Sequence, residues 1–304
     1  MDFCAILRNI LMDHAKLKWI YLSLLSIIWG SSFILIEQAI KGLDFVQVGA
    51  LRICVTAVFL FPIGLKKVKA IQRSQWKWIF WTAMAGSLFP VFLFALAQEQ
   101  LDSAVTSMLN SLTPLNTIVF GSLLFGVAVS KRQIYGVLIG LIGALVLIIA
   151  GANFNESQNY WYSAFVFLAT IGYGLNVNII KKYLNDVNAM AIVTGNFVII
   201  IIPAFIILAF TGFFNDILKN EAMQVALGYV VVLSLFGTAI AKVIYSRLVQ
   251  ISSPVFASSV TYTMPIVAIF WGILAGEKLS FYQILGGFVI LLGVYLVNKR
   301  KKKA

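Results

Sequence analysis

Three ionisable side chains lie inside long apolar runs of this sequence, where a charge is expected to have either an oppositely charged partner or a functional role. Glu37 and Arg52 lie near the same end of two consecutive runs, and Lys242 lies in a run of the second half. Charged groups in such surroundings are costly and mark pairs or functional sites. One expectation is a structural Glu37–Arg52 ion pair; the other makes Glu37 a proton-coupling residue. Lys242 either extends its ammonium to the polar edge of its run or receives the carboxylate of a small substrate.

Polar side chains recur at helical spacing in several of these runs, which places each set on one face of a helix. Such faces are candidates for the lining of a solute path, although small polar residues also let two helices approach closely. The candidate substrate-binding residues on these faces, with one nearby tryptophan, are Lys242, Tyr245, Thr238, Asn110, Thr113, Tyr173, Asn176, Tyr262 and Trp29. For Trp29, aromatic packing or anchoring at a membrane interface is the alternative role.

The sequence offers little for an enzyme or an ATP-driven pump. Its one histidine, His14, lies outside the apolar runs, and its carboxylates are scattered. Neither a catalytic constellation nor a metal site is expected from such a distribution. The stretch GILAGEK at 272–278 lacks the first glycine and the final Ser or Thr of a phosphate-binding loop. We therefore expect no catalytic residue, no metal and no cofactor.

Composition indicates what surrounds these residues. Of 304 residues, 61% are hydrophobic and 11% are charged, whereas a soluble domain carries about 25% charged residues. Too few polar groups remain to cover a surface in water, so membrane lipid is the expected surrounding. The net charge of +12 is divided among short basic clusters between the apolar runs. That distribution argues against a nucleic-acid partner.

Ten apolar runs are long enough to cross a bilayer as helices. They are numbered here as spans 1 to 10 and are predicted at 18–40, 45–65, 76–98, 103–127, 133–151, 159–180, 189–211, 224–246, 254–275 and 281–298. The predicted fold class is an all-α integral membrane protein with no soluble domain. Residues 1–17 form an N-terminal cytoplasmic segment, read as a short interfacial helix, and residues 299–304 form a basic cytoplasmic tail.

Lysine and arginine are distributed unevenly between the two ends of the spans. With the N-terminus inside, 18 of the 23 basic residues fall in inside segments, and only Lys41, Lys219 and Lys278 fall outside. Cytoplasmic segments of membrane proteins carry such an excess. Both termini of this multi-pass chain are therefore predicted to be cytoplasmic.

The second half of the chain repeats the first. The matched residues are Gly126/Gly276, Ser130/Ser280, Gln133/Gln283, Gly136/Gly286 and Gly143/Gly293 at an offset of 150; Gly86/Gly237, Ser87/Thr238 and Pro114/Pro265 at 151; Gly30/Gly172 and Asp44/Asp186 at 142; and Pro62/Pro203 at 141. Residues 18–151 and 159–298 are thus two copies of a five-helix unit. Because each copy has an odd number of spans, the second enters the membrane from the opposite side. Inverted repeats of this kind support alternating access around a site at the midplane.

Two features of the repeat concern helix shape and packing. Pro114 and Pro265 predict matched kinks and are candidate hinges, with kinks of no functional importance as the alternative. The glycines of spans 5 and 10 are typical of close-packing faces or of a dimer face, so a homodimer stays open.

Several stretches, in this order, carry a family resemblance. They are WGSSF at 29–33, ALRICVTAVFLFP at 50–62, SLTPL around Pro114, and SPVFASSVTYTMPIVAIFWGILAGEKLSFYQILGG at 253–287. Together they resemble the drug/metabolite transporter superfamily, specifically its EamA-type ten-helix members. The chain departs from the family pattern at one place: a glutamate is expected in both halves, but only Glu277 is present and Val127 stands at the first position.

The resemblance implies a secondary-active transporter of the bacterial inner (plasma) membrane. Members of this type often export small polar metabolites such as amino acids. A channel or a non-transporting membrane scaffold is the alternative function.

Overall fold

The computed structural model describes residues 3–154 and 158–298, and within those ranges every regular element is a helix. The helices are Phe3–Ile40, Phe45–Val68, Trp76–Ala83, Met84–Leu88, Phe89–Gln98, Ser103–Asn110, Thr113–Phe125, Lys131–Phe154, Tyr160–Tyr162, Ser163–Tyr183, Ala189–Ala209, Phe213–Asp216, Glu221–Val232, Leu233–Ile240, Ala241–Ile251, Pro254–Ser258, Ser259–Tyr262, Met264–Leu274 and Phe281–Asn298.

Grouped by continuity, these helices occupy the ten predicted positions. In the described part of the chain, nine groups are long and apolar enough to cross a membrane, and a tenth, Phe281–Leu296, is a shorter apolar helix. The predicted all-α membrane fold of two five-helix repeats is confirmed. The helix that contains span 1 begins at Phe3, so the predicted N-terminal segment continues into the span. The predicted tail at 299–304 lies outside the described residues.

The duplicated Ser and Gln residues begin spans 5 and 10. The Ser130 N–H donates to Gln133 Oε1 at 2.8 Å, and the Ser280 N–H donates to Gln283 Oε1 at 2.8 Å. In return, the Gln133 N–H donates to Ser130 Oγ at 3.4 Å, and the Gln283 N–H donates to Ser280 Oγ at 3.1 Å. Such reciprocal capping satisfies backbone donors that the start of a helix leaves free. The repeat therefore builds the same helix start twice.

Spans 4 and 9 are each broken near the middle. Span 4 consists of Ser103–Asn110 and Thr113–Phe125, and span 9 consists of Pro254–Ser258, a 3-10 turn and Met264–Leu274. Pro114 and Pro265 each lie in the first turn of the second half-helix, where the missing N–H of proline is not needed. Each of these spans therefore has a break at the position where the sequence predicted a kink. The hinge role of the two prolines stays a prediction.

Spans 3 and 8 each contain a π-helical segment, Met84–Leu88 and Leu233–Ile240. The matched glycines Gly86 and Gly237 lie within these segments. A π-helical turn shifts the backbone hydrogen bonds and often marks a functional site. The repeat therefore carries the same irregularity in both halves.

The glycines of spans 5 and 10 face each other inside one chain. A Cβ atom on Gly143 would lie 2.6 Å from Ile290 N, and one on Gly286 would lie 2.7 Å from Leu147 N. The two backbones are therefore in direct contact, which residues larger than glycine would prevent. Of the two predicted roles, these contacts support close packing between the repeats. A homodimer stays a prediction.

Candidate substrate site

A cavity lies between the two repeats, where the broken spans 4 and 9 meet spans 1, 2, 3, 6 and 8. Its empty space, including the opening, measures about 760 Å³. Seven of the nine predicted substrate-binding residues line it: Trp29, Asn110, Thr113, Tyr173, Asn176, Lys242 and Tyr245. The lining also includes Ser32, Phe33, Phe94 and Thr261, which are not among those nine, and Arg52, to which the sequence assigned a different role. The polar faces of separate helices thus converge on one space.

The breaks in spans 4 and 9 meet at the wall of this cavity. The Ser111 hydroxyl donates to the Thr261 carbonyl at 2.8 Å, which joins the break of one repeat to that of the other. The Thr113 hydroxyl donates to the Asn110 carbonyl at 2.8 Å. Backbone groups freed by a break inside a membrane need partners, and irregular backbone is tolerated there where it lines a cavity. These bonds provide some of the partners.

One wall of the cavity is aromatic. The rings of Trp29 and Tyr245 meet edge to face with centroids 5.0 Å apart. Phe94 stacks on Tyr173 with centroids 5.8 Å apart and meets Phe33 edge to face at 5.9 Å. Contacts of this geometry add to the packing energy of the rings and restrict their rotation. The wall therefore has a defined shape against which the apolar part of a solute can pack.

Lys242 and Trp29 each contact a π-helical segment of the opposite repeat. The Lys242 ammonium donates to the Gly86 carbonyl in span 3. The Trp29 indole N–H donates to the Gly237 carbonyl in span 8 at 2.8 Å. Gly86 and Gly237 are repeat-matched, so each half presents one carbonyl to a cavity residue of the other half. An ammonium has three donors, so Lys242 retains donors for a solute.

Arg52 is the second cation of the cavity. Its side chain is only 8% exposed, and its Nε–H donates to Thr238 Oγ1 at 2.8 Å. The Glu37–Arg52 ion pair expected from the sequence does not form; Glu37 pairs instead with Lys41, one helical turn away, at 3.7 Å. The reason is the direction of each side chain, because the Arg52 guanidinium points toward span 8 and away from Glu37. Spans that are consecutive in sequence need not present their charges to each other.

The remaining predicted site residues lie outside the lining. Thr238 supports Arg52 rather than facing the cavity. Tyr262 lies in the 3-10 turn of span 9 and packs against the core. One feature of the sequence could have indicated that Arg52 faces another helix: Thr56 lies four residues further on, so the two residues share a face of span 2. In the structure, the Thr56 hydroxyl donates to the Arg52 carbonyl at 2.6 Å. The two residues mark a polar face of span 2 that faces span 8.

Glu277, which follows span 9, joins the two repeats. Its carboxylate accepts from the Ser103 N–H at 2.9 Å, from the Ala104 N–H at 3.1 Å and from the Ser103 hydroxyl. These donors form the start of span 4, where the side chain of the N-cap residue Asp102 makes no capping bond. A carboxylate at a helix N-terminus satisfies free N–H groups and opposes the helix dipole. The glutamate of one repeat thus caps a broken span of the other.

The different starts of spans 4 and 9 explain why the first half needs no glutamate at the position of Val127. At the offset of 151, Asp102 and Ser103 correspond to Ser253 and Pro254. Ser253 Oγ accepts from the Phe256 N–H at 3.1 Å, so span 9 carries its own cap. Pro254 has no N–H to satisfy. A glutamate in place of Val127 would have fewer free donors to meet.

Glu277→Gln is expected to change how the stability of the protein depends on pH. Burial, with the Glu37 carboxyl within hydrogen-bonding reach, raises the pKa of Glu277 from 4.5 to about 7, against the bonds from Ser103 and Ala104. A carboxyl whose pKa is raised by folding stabilises the folded chain fully below the unfolded pKa and loses that contribution as pH rises through the folded pKa. The thermal midpoint in detergent should therefore fall more in the wild type than in Glu277→Gln between about pH 5 and about pH 8.

The control for this measurement is Lys278→Gln at the adjacent, exposed position. That variant should keep the wild-type slope. The charge of Asp102 also acts on this end of the site, because burial and the Glu277 charge raise the Asp102 pKa. Equal slopes in the wild type and Glu277→Gln would contradict the assignment of the titration to Glu277.

Comparison with known proteins places this architecture among transporters. The model of the EamA-like transporter family matches residues 17–149 and again residues 160–299, one match for each repeat. The chain belongs to the EamA-like transporter family. Membership makes it a multi-pass membrane transporter that is in contact with lipid.

Individual relatives cover nearly the whole chain. It is 27% identical over 287 residues to the "Uncharacterized inner membrane transporter YedA" of Escherichia coli, covering 91% of this chain and 89% of the relative. It is 23% identical over 303 residues to the "Probable terminal-alkyne amino-acid exporter" of Streptantibioticus cattleyicolor, covering 95% of each. A solved protein crystal structure, 15% identical, has the same fold with a TM-score of 0.62 over 94% of this chain and 97% of that one.

Proposed function

We propose that this EamA-like transporter exports small polar metabolites that carry a carboxylate, such as amino acids, across the bacterial inner membrane by alternating access. The names of two relatives support parts of this proposal. The Streptantibioticus relative is named a "Probable terminal-alkyne amino-acid exporter", which supports export, and the Escherichia coli relative is named an inner membrane transporter, which supports the location.

The observation that carries the proposal is the cavity at the meeting point of the two broken spans. Lys242 offers an ammonium there, and Asn110 and Asn176 offer amides that both donate and accept. Tyr173 and Tyr245 add hydroxyls beside the aromatic wall. A space with a few convergent polar groups and an otherwise apolar lining is typical of a small-molecule site. The carboxylate of the metabolite binds Lys242, and its apolar part packs on the wall.

The matched irregularities of the two repeats support alternating access as the mechanism. Each repeat contributes a broken span and a π-helical segment to the same cavity. Two similar halves of opposite orientation have an outward-open and an inward-open arrangement of similar free energy. Pro114 and Pro265 stand where each broken span resumes, and they are the proposed hinges.

The test begins by comparing the amounts of metabolites in cells that overproduce the protein and in cells that lack it. The identified metabolite is then loaded into liposomes that contain the purified protein. Saturable uptake of labelled metabolite driven by unlabelled metabolite inside, which is counterflow, is the expected result. Uptake that does not saturate would indicate a channel, and no uptake would indicate a scaffold.

The proposed orientation has both termini in the cytoplasm, from the distribution of Lys and Arg. In a variant without Cys4 and Cys54, a cysteine at the exposed Asn215 should react with an impermeant thiol reagent applied to intact cells. A cysteine at the exposed Lys69 should react only after the membrane is permeabilised. The reverse pattern would invert the orientation, and export would then have to be reconsidered.

Glu37 is the proposed proton-coupling residue. Its Oε2 atom is buried and has no donor among the described residues, and its carboxyl lies within hydrogen-bonding reach of Glu277. The nearby Glu37 carboxyl helps burial to raise the pKa of Glu277, so a proton held by Glu277 lies beside Glu37. Lys41 forms an ion pair with Glu37, and the Glu277 charge acts on Asp102. Because Glu277 caps span 4, a proton on this pair acts on the contact between the two repeats.

Glu37→Gln should keep counterflow and abolish pH-driven transport, because an amide keeps the shape of a protonated carboxyl but cannot release the proton. Counterflow and uptake driven by a pH gradient are measured in the same liposomes. Lys41→Gln, which removes the ion-pair partner of Glu37 at an exposed position, serves as the control and should retain both activities. Transport by Glu37→Gln that still follows the pH gradient would exclude Glu37 as the coupling residue.

A further inference from the structure

The cavity holds two cations, and no acidic side chain of the described residues lines it. The one ion pair formed within the described ranges, Lys41–Glu37, leaves both Arg52 and Lys242 without a carboxylate partner. The two charges are near enough to act on each other. Buried charges without a counter-charge are strongly unfavourable, and two of like sign in one space are worse. The site is therefore electrostatically incomplete until an anion is bound.

Both cations retain donors that point to no described protein group. Arg52 uses Nε for Thr238, and its Nη atoms form no hydrogen bond with the described residues. Lys242 donates to Gly86 alone within the same ranges. A guanidinium carries five N–H donors and an ammonium three. Most of the charged donors of the cavity are thus available to a ligand.

The two cations reach the cavity from different spans. Arg52 lies on span 2 and is held through its Nε by the Thr238 hydroxyl, whereas Lys242 lies on span 8 and is held by the Gly86 carbonyl. The two positive charges are therefore fixed by separate partners. A ligand that satisfies both cations carries negative charge on two groups, or on one group broad enough to reach both.

We propose that the cavity binds small organic dianions, namely dicarboxylates or phosphate monoesters, with Arg52 and Lys242 as the two anion-binding residues. The inference rests on the proposed function, since it names the substrate class of that same cavity. It differs from the amino-acid example given there, because a free amino group would enter the field of two cations with no acidic side chain of the described residues beside it. A dianion neutralises both charges.

The test uses ligands that differ by one charged group, titrated into the purified full chain in detergent by calorimetry. Glutarate and pentanoate differ by one carboxylate, and glutarate and glutamate differ by one ammonium. Glycerol 3-phosphate carries both charges on one group. Glutarate or glycerol 3-phosphate should bind at least about tenfold more tightly than pentanoate, as expected for one additional charged hydrogen-bonded contact. Whichever of the two dianions binds more tightly identifies the arrangement of charge.

Arg52→Met and Lys242→Met provide a second measurement, and each should bring the affinities for glutarate and pentanoate close to each other. Equal binding of glutarate and pentanoate by the wild type, tighter binding of glutamate than of glutarate, or no binding of either dianion would overturn the dianion assignment. None of these results would overturn the transporter, which is tested separately by counterflow of metabolites found in cells. If the protein binds dianions but shows no counterflow, the proposed transport function is overturned and the dianion assignment is kept.

Discussion

Lys242→Met should abolish transport of carboxylate-bearing substrates while the protein is still inserted and folded. The repeat-matched residue of the other half is Val91, which lines the same cavity, so the scaffold accepts an apolar side chain at this position. Removal of the ammonium deletes a charged hydrogen bond worth about 1.5–3 kcal/mol, which weakens binding roughly ten- to hundredfold. Lys242→Arg should recover little, because a planar guanidinium differs in shape from a compact ammonium. Counterflow and the yield of folded protein are the measurements.

Lys278→Met is the matched control, since it removes an exposed lysine that follows span 9. It should transport as the wild type does. Normal counterflow by Lys242→Met would show that this lysine only reaches toward the headgroups. Loss of folded protein in Lys242→Met would make the Gly86 contact structural, and the equilibrium binding comparison would then have to carry the assignment.

Gly286→Ala should greatly reduce the amount of folded protein. The added Cβ atom would stand 2.7 Å from Leu147 N and 2.9 Å from the Gly143 carbonyl, so backbone and not a flexible side chain would have to move. Overpacking of this kind costs about 1–3 kcal/mol, and separating spans 5 and 10 also loosens contacts around the fully buried Ile290 and Leu147. Yield after extraction and the thermal midpoint in detergent report the loss.

Gly228→Ala in span 8 tests whether the effect is specific to the contact. A Cβ atom at Gly228 would meet nothing within 4 Å, and alanine is the better helix former. That variant should be as stable as the wild type or slightly more stable. Equal losses in both variants would show that the glycines act through helix flexibility, and equal retention would refute close packing of spans 5 and 10.

The sequence could predict what depends on composition and on the repeat. Apolar runs of sufficient length predicted the ten spans, and the duplicated Ser130/Ser280 and Gln133/Gln283 pairs marked two equivalent helix starts. The polar faces of single helices, together with Trp29, predicted seven of the residues that line the cavity. These features are local, because helical periodicity fixes them without reference to neighbouring spans.

Features that depend on which helices face each other could not be predicted from one chain. Arg52 was expected beside Glu37 because both lie near the same end of two consecutive spans, but its partner Thr238 is 186 residues away. Glu277 was noted only as a family glutamate that the first half lacks, but it caps the helix that begins at Ser103 in the other repeat. The π-helical segments around Gly86 and Gly237 could not be predicted either. The sequence showed there only two matched dipeptides, Gly-Ser and Gly-Thr. Such pairings arise from packing, which periodicity does not encode.

The central claim is that one cavity between the two repeats opens alternately to the two sides of the membrane. Its most direct test is a single cysteine at Ser32, a close match in size that lines the cavity and is itself buried, in a variant without Cys4 and Cys54. The account predicts that an impermeant thiol reagent reaches this cysteine from the outside of intact cells and, separately, from the inside of inverted vesicles. A transported substrate should slow the reaction from both sides. Reaction from one side only, under every condition and without protection by substrate, would contradict alternating access.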